Sequence, residues 1–292
     1  MPQSRWGTIS PSLRRGSGES KIRQLQSEPY LSVVIPCYNE ERRLPGTLSK
    51  VIAYLQRKGR EAEIVVVDDG SSDRTVAIAE QASAENPIVH VIRNEHRGKA
   101  FAVRTGMLAA AGQFVLFSDA DSATPIEEAD KLLPHLEQGV DVAIASREGK
   151  EAQRLQEPWH RHLMGRVFNL IVQLLALPGI HDTQCGFKAF RRAAARELFG
   201  NMQLYGEQTG GPVKGAMLTG FDVEILFLAR KWGYRIAEVP VVWSYGAESK
   251  VHPLKDSWRN LRDVLRVRWN DLRGRYDEPH RRKAREEEAR SK

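Results

Sequence analysis

Cysteine is nearly absent from this chain, with two in 292 residues, Cys37 and Cys185. Far apart and without Cys-x-x-Cys spacing, they offer neither a disulfide framework nor a zinc site, and a reducing, cytoplasmic setting is the simplest expectation. Also missing is any apolar run approaching the ~18 residues that a membrane-spanning helix requires. The best candidate, residues 167–177, is interrupted by Asn169 and Gln173. Residues 1–30 have basic and Ser/Gly-rich stretches but no apolar core of a secretory signal. No Gly-x-Gly-x-x-Gly turn follows the first apolar run, and Gly-x-x-x-x-Gly-Lys-[Ser/Thr] occurs nowhere. Their absence removes the dinucleotide fingerprint and the P-loop from consideration. Acidic residues are scarce at the two ends of the chain. The net charge is +7, yet residues 1–30 carry five Lys/Arg against two acids and residues 250–292 carry fourteen against eight, so the middle is slightly acidic. A nucleic-acid-binding domain would carry its positive charge on the folded face itself, so no nucleic-acid partner is expected. Basic ends on a faintly acidic body fit solvated tails or contact with an anionic surface.

What is present is an alternation of short apolar runs and helical periods. Residues 31–35, 63–67, 89–92, 114–117 and 140–145 read as strands, and 40–57, 73–84, 99–111 and 126–138 as helices. Apolar runs without polar alternation suit a parallel sheet covered on both faces. The fold class predicted is therefore α/β, a doubly wound, mostly parallel sheet with flanking helices. After Arg147 the regularity fades. Residues 148–158 read as a mobile charged loop and 159–177 as a helix stopped by Pro178-Gly179. Residues 186–190 and 234–240 read as strands, 193–199 and 221–232 as helices, and 203–217 as a second loop. Finally Trp258, Leu261, Leu265, Trp269, Leu272 and Tyr276 recur at three- and four-residue steps, with Arg259, Arg262, Arg266, Arg273 and Arg275 between them. This is a basic amphipathic helix, suited either to packing on the sheet or to an anionic lipid surface. The organisation expected is a disordered basic tail over 1–30, the α/β domain over 31–249, the basic helix over 250–277 and a charged tail over 278–292.

Three apolar runs end in polar, acidic turns. The first enters Pro36-Cys37-Tyr38-Asn39-Glu40, the second Asp68-Asp69-Gly70-Ser71-Ser72-Asp73, and the fourth Ser118-Asp119-Ala120-Asp121. Open α/β sheets bind ligands at the carboxyl edge. Two hard oxygen ligands there, Asp119 and Asp121, suit Mg²⁺ or Mn²⁺ shared with a diphosphate; the plainer alternative is a capped turn before Pro125. Three such ends together describe a nucleotide-sugar site with a metal. Asp69 has the chemistry to accept from a base imide or a ribose hydroxyl. Asp68 is expected to support its turn, and Asp73 to cap the following helix. In Arg97-Gly98-Lys99 the glycine permits close backbone approach, and Lys99 places a cation near a diphosphate.

In this order the three stretches resemble the family 2 glycosyltransferases of GT-A fold. Asp182-Thr183-Gln184-Cys185-Gly186-Phe187-Lys188 and Gly220-Phe221-Asp222-Val223-Glu224 narrow the resemblance, over residues 31–269, to the dolichyl-phosphate β-glucosyltransferases and their prokaryotic polyprenyl-phosphate relatives. The resemblance implies a metal-dependent, inverting hexosyltransferase with Mg²⁺ or Mn²⁺, a nucleoside-diphosphate sugar donor (UDP-glucose ahead of GDP-mannose) and a polyprenyl phosphate acceptor. It implies donor contacts from Pro36, Tyr38, Asn39, Glu40, Asp69, Lys99 and Asp119, and metal ligation by Asp119 and Asp121. Catalytic roles fall to Asp222 and Asp182, and the acceptor phosphate to Arg147, Gln184 and Lys188, with Arg161 and Arg166 as weaker candidates. Many relatives carry a spanning segment that is not found here, so membrane contact is expected to be peripheral, on an anionic inner face. The alternative acceptor is a soluble hydroxyl, of glycerate or a sugar. A phosphomonoester, with a second pKa of about 6, needs positioning more than deprotonation, whereas a hydroxyl needs a base. Asp222 and Glu224, two apart on one helix, do not share a face, so at most one is aimed into the site.

Overall fold

The computed structural model describes residues 28–155, 159–206, 220–245 and 253–277. Residues 1–27 of the expected basic tail, 207–217 of the expected second loop and the 278–292 tail lie outside them. The main sheet is built from β1 (Leu31–Cys37), β2 (Ala62–Asp68), β3 (Val89–Arg93), β4 (Phe114–Ser118), β5 (Val142–Ser146), β7 (Phe187–Arg191) and β8 (Ile236–Pro240), in the order β3-β2-β1-β4-β7-β5-β8. All neighbours run parallel except β7, which is antiparallel to both β4 and β5.

The unbroken apolar runs follow from burial on both faces. Along β1 and β2, Val33, Ile35, Ile64 and Val66 enter one core, packed beneath α1 (Leu44–Lys58), α2 (Thr75–Glu85) and α4 (Ala129–Glu137). Val34, Val65 and Val67 point the other way, to the core beneath α3 (Lys99–Ala109), α5 (Trp159–Leu175), α6 (Arg192–Gly200), α7 (Phe221–Lys231) and α8 (Pro253–Leu272). Successive side chains of a strand face opposite sides, so no position is left over for a polar alternation. Between β1 and β4 the strand order reverses, the usual place for a ligand crevice in such a sheet.

Two expectations need correction. The charged stretch 148–158 is not all loop, because β6 (Gln153–Leu155) pairs in parallel with β9 (Val242–Ser244) as a separate two-stranded sheet; residues 156–158 are outside the described set. The last predicted strand does not finish the chain's β structure at Pro240, since β9 follows at once. Strands three residues long fall below any readable period.

Candidate functional site

The cleft lies along the edge where β1, β2, β4 and β5 end. Strand β7 runs the opposite way and brings its beginning to the same edge, with Phe187 opposite Ser118 and Lys188 opposite Phe117.

On the β1–β3 side, Pro36 is buried within β1 opposite Val67. Tyr38, just beyond the strand, stacks on His96 with ring centroids 3.9 Å apart and planes 2° from parallel. His96 Nδ1 stands 2.8 Å from Asp69 Oδ2, a carboxylate partner that favours the proton on Nδ1. Asp69 also accepts from the backbone N–H groups of Arg97 (3.0 Å) and Gly98 (2.8 Å). Burial raises its pKa against these bonds, and the residue is 1% exposed. A carboxylate so placed fixes the turn of Arg97 and Gly98, and the expected contact with a base imide or a ribose hydroxyl stays an expectation. Asn39, with φ of 53°, ties two turns together: its Oδ1 accepts from Ser72 N at 2.8 Å and its N–H donates to Ser71 Oγ at 2.9 Å. Glu40 donates its N–H to Thr75 Oγ1 and pairs with Arg43 at 3.4 Å. Asp68 supports its turn, accepting from Gly70 N and Ser71 N, and Asp73 accepts from Thr75 N in the first turn of α2.

Lys99 opens α3 and holds its Nζ 2.6 Å from Asp119 Oδ1. Asp119 donates its own N–H to Gly186 O. A Cβ on Gly186 would collide with the Asp119 carboxylate, so only glycine at that position leaves room for it. Asp121 is exposed, and its Oδ1 accepts from Ala123 N at 3.0 Å. The protein wall around its carboxyl group and, second, the charge of Asp119 raise its pKa. Among the described residues, no three His, Cys, Asp or Glu side chains gather into a metal site made by protein alone. Mg²⁺ needs only one or two carboxylates when substrate phosphates and waters complete its shell. Two hard oxygen donors whose mutual repulsion a divalent ion would relieve fit that role.

On the β5–β8 side, Arg147 leaves the end of β5 and grips Asp182, with Nε to Oδ2 at 2.7 Å and Nη2 to Oδ1 at 2.9 Å, while its cation lies 5.2 Å from the Trp243 ring centroid. Asp182 is fully buried and accepts in addition from the N–H groups of Arg147 and Gln184. Burial alone would raise its pKa, but the Arg147 charge and hydrogen bonds win and hold it well below the usual carboxylate range. So placed, Asp182 fixes Arg147, and the catalytic role that the resemblance implies for it stays an expectation. Behind it stands Glu238 of β8, which accepts from Ser146 Oγ (2.7 Å), Asp182 N (2.8 Å) and His181 N (3.0 Å). Arg166 lines a groove on α5; the side chain of Arg161 is outside the described set.

Lys188 is 1% exposed, and its Nζ donates to Asp222 Oδ1 and to Cys185 O, both at 2.6 Å. A buried ammonium engaged by two partners is placed to steady Asp222, and the acceptor-phosphate contact that the resemblance implies for Lys188 stays an expectation. Asp222 itself stands at the cleft. Burial raises its pKa, while Lys188 and then Lys99 oppose the rise. Glu224 turns away, accepting from Gln203 N (2.6 Å), Leu204 N (2.9 Å) and the hydroxyl of Tyr276 (2.7 Å). The face question left open by the sequence is thus decided for Asp222. Burial lifts Glu224 from 4.5 to about 7, with the nearby Asp263 charge adding to the rise. The folded carboxyl then keeps its proton to higher pH than the unfolded one, so stability falls as pH rises between 4.5 and about 7. Glu224→Gln is expected to flatten that slope, measured as urea midpoints at about pH 5 and about pH 8. An unchanged slope would mean that another group titrates there.

His96 and Glu238 were missed from the sequence. A single acid in the apolar run 236–240 was the available sign for Glu238; nothing marked His96.

The sequence profile described as Glycosyl transferase family 2 matches residues 32–199. Dolichyl-phosphate beta-glucosyltransferase of Dictyostelium discoideum is 34% identical over 259 residues, covering 84% of this chain and 76% of the relative. The protein of that name from Drosophila melanogaster is 36% identical, covering 81% and 74%. Among solved structures, mannosyl-3-phosphoglycerate synthase from Rubrobacter xylanophilus gives a TM-score of 0.58 at 24% identity, covering 86% of this chain and 77% of that one. Glucosyl-3-phosphoglycerate synthase from Mycobacterium tuberculosis, in complex with Mn²⁺, UDP and glucosyl-3-phosphoglycerate, gives 0.56 at 20% identity, covering 86% and 81%; at such identity these two speak for the fold. With a profile spanning more than half its length and relatives above 30% identity over most of it, the chain belongs to glycosyl transferase family 2, on a GT-A fold.

Proposed function

We propose that this protein is an inverting transferase that moves glucose from UDP-glucose to a polyprenyl phosphate at an anionic membrane surface. The names of the curated relatives support both the sugar and the lipid phosphate. The observation that carries the acceptor is the exposed apolar side of each of two helices that pack together, α5 and α8. Val167, Leu170 and Leu174 on α5, and Trp258, Leu265, Trp269 and Leu272 on α8, are all exposed, Leu174 by 77% and Trp258 by 70%. Arg262 and Arg266 lie among them with half-exposed side chains. Apolar and aromatic residues interleaved with arginine suit the boundary between lipid and water. Among the described residues no helix is long and apolar enough to cross a membrane, so the proposed contact is peripheral and weakened by salt. A groove of about 560 Å³ runs along α5. Its lining includes Val167, Leu170 and Pro240, together with Glu148 and His181, the chain neighbours of Arg147 and Asp182. It offers the first prenyl units an apolar route towards Arg147.

In this reading Asp119 and Asp121 hold a divalent ion, which when bound supplies positive charge to the departing diphosphate. Lys99 adds a cation beside Asp119. Tyr38, His96, Asn39 and Glu40 shape the nucleoside pocket, with Asp69 fixing the turn beneath it. Arg147, held by Asp182 and Trp243, receives the anionic head of the acceptor, with Gln184 alongside. Asp222, steadied by Lys188, orients the groups that meet at the anomeric carbon. An ionised phosphate oxygen then displaces the diphosphate in one step, which inverts the configuration.

Transfer from radiolabelled UDP-glucose to a short-chain polyprenyl phosphate, run beside GDP-mannose and beside glycerate and simple sugars, tests the reading. The lipid is expected to be the substrate, and binding to anionic vesicles is expected to be lost at about 1 M salt. Product from the hydroxyl acceptors alone would overturn the lipid and make Asp222 a general base. Tight GDP binding without UDP binding would overturn the donor.

A further inference from the structure

We propose that Asp263, on the amphipathic helix α8, is a positioning residue for Asp222. It would act by fixing the first turn of α7, and so tie the seat of α8 to the cleft. The inference rests on the reading of Asp222 as a group that meets the reacting partners.

Asp263 is a buried carboxylate, 1% exposed, with no place in the cleft. Its Oδ2 accepts from the hydroxyl of Tyr205 at 2.6 Å and from the backbone N–H of Gly220 at 3.2 Å. Arg262 and Arg266 approach its other oxygen only to 3.9 Å. Gly220 is the capping residue of α7 and has no side chain with which to satisfy the helix start. The first turn of any helix leaves backbone N–H groups without intrahelical partners and favours negative charge nearby. Asp222 and Glu224 lie in that turn themselves, but the carboxylate that accepts from the capping N–H comes from a different helix. The fit is close, since a Cβ on Gly220 would stand 3.1 Å from Asp263 Cβ.

Asp222 lies two residues further on, and its Oδ1 must meet a Lys188 ammonium that is itself pinned to Cys185 O. The rest of α7 is braced by α8 and the turn after it. Tyr276 donates to Glu224, Trp232 Nε1 donates to Tyr276 O at 2.9 Å, and Lys231 pairs with Asp271 and Asp277. Trp232 and Lys231 hold the end of α7 and Tyr276 reaches Glu224 in its first turn, while Asp263 comes from α8 itself and hydrogen-bonds the capping Gly220, two residues before Asp222. Burying a carboxylate is unfavourable unless it is hydrogen-bonded, and this one spends its bonds on a tyrosine and the start of that turn.

The test uses the full chain and reads the rate per competent site, with UDP and Mg²⁺ calorimetry counting those sites. Asp263→Ala is expected to bind UDP with unchanged stoichiometry and affinity and to leave the KM for UDP-glucose in place. Its kcat per site is expected to fall about tenfold or more, because small displacements of a reacting group are costly. Asp263→Asn, which keeps an acceptor oxygen at the same reach, should recover most of that rate. Gly220→Ala, which pushes the two helices apart, should lower kcat in the same way and serves if Asp263→Ala does not fold. An unchanged kcat per site in Asp263→Ala or Gly220→Ala overturns the proposal, as does a loss confined to the KM of the donor. If the wild-type protein neither binds UDP nor transfers sugar, the functional reading itself has failed, which is seen before any variant is made.

Discussion

Asp121→Ala is expected to abolish sugar transfer while leaving the thermal midpoint within about 2 °C of wild type. The side chain is exposed and makes one hydrogen bond, to Ala123 N, so its structural contribution is small. Its proposed contribution to the reaction is large. A divalent ion clamped on a leaving diphosphate supplies several kcal/mol of charge stabilisation, and losing one of its two protein ligands should cost on the order of 10³-fold in rate. Asp119 is a poorer probe, because its removal also strands Lys99, 2.6 Å away. Transfer from labelled UDP-glucose, with melting curves of both proteins, checks the result. Wild-type turnover in Asp121→Ala would mean that a metal, if required, is held elsewhere.

Lys188→Met is expected to act in the opposite sense, on the fold as much as on the reaction. The change leaves Asp222 buried without its partner at 2.6 Å, and stranding one member of a buried ion pair costs about 3–5 kcal/mol. The double variant Lys188→Met with Asp222→Leu should regain much of that stability, since replacing both partners by apolar groups is often neutral, yet remain inactive. Urea unfolding of the two variants measures this directly. A cation serving the acceptor phosphate would behave differently, with unchanged stability and a raised acceptor KM in Lys188→Met. That outcome would support the role first expected from the motif.

The strands that carry Asp69, Asp119 and Arg147 to the cleft could be read in advance because their apolar runs are continuous, and only a sheet buried on both faces asks for that. The acidic turns at their ends were equally visible. What a one-dimensional pattern withheld was which charges face one another. Arg147 and Lys188 both look like phosphate ligands in the sequence, and nothing there shows that each is held by an aspartate, Asp182 and Asp222, more than thirty positions away. Helical spacing limited Asp222 and Glu224 to different faces, but it took Gln203, Leu204 and Tyr276, gathered around Glu224, to show which one turns inward. His96 gave no sign at all, since its importance rests on a ring partner at the end of a different strand.

The reversed strand β7 also has a consequence for how the chain assembles. Strands β2, β3 and β4 can pair as soon as they exist, because each has a sheet neighbour already made. Strand β5 cannot, since its partners in the sheet are β7 and β8, both later in the chain. Residues 142–146 must therefore wait, apolar and unpaired, until the chain has returned through 187–191. Long-range pairings of this kind slow folding and leave strand edges exposed to association. The part built on β1 to β4 is thus expected to pair early and the part built on β5, β7 and β8 late, with aggregation during synthesis centred on β5.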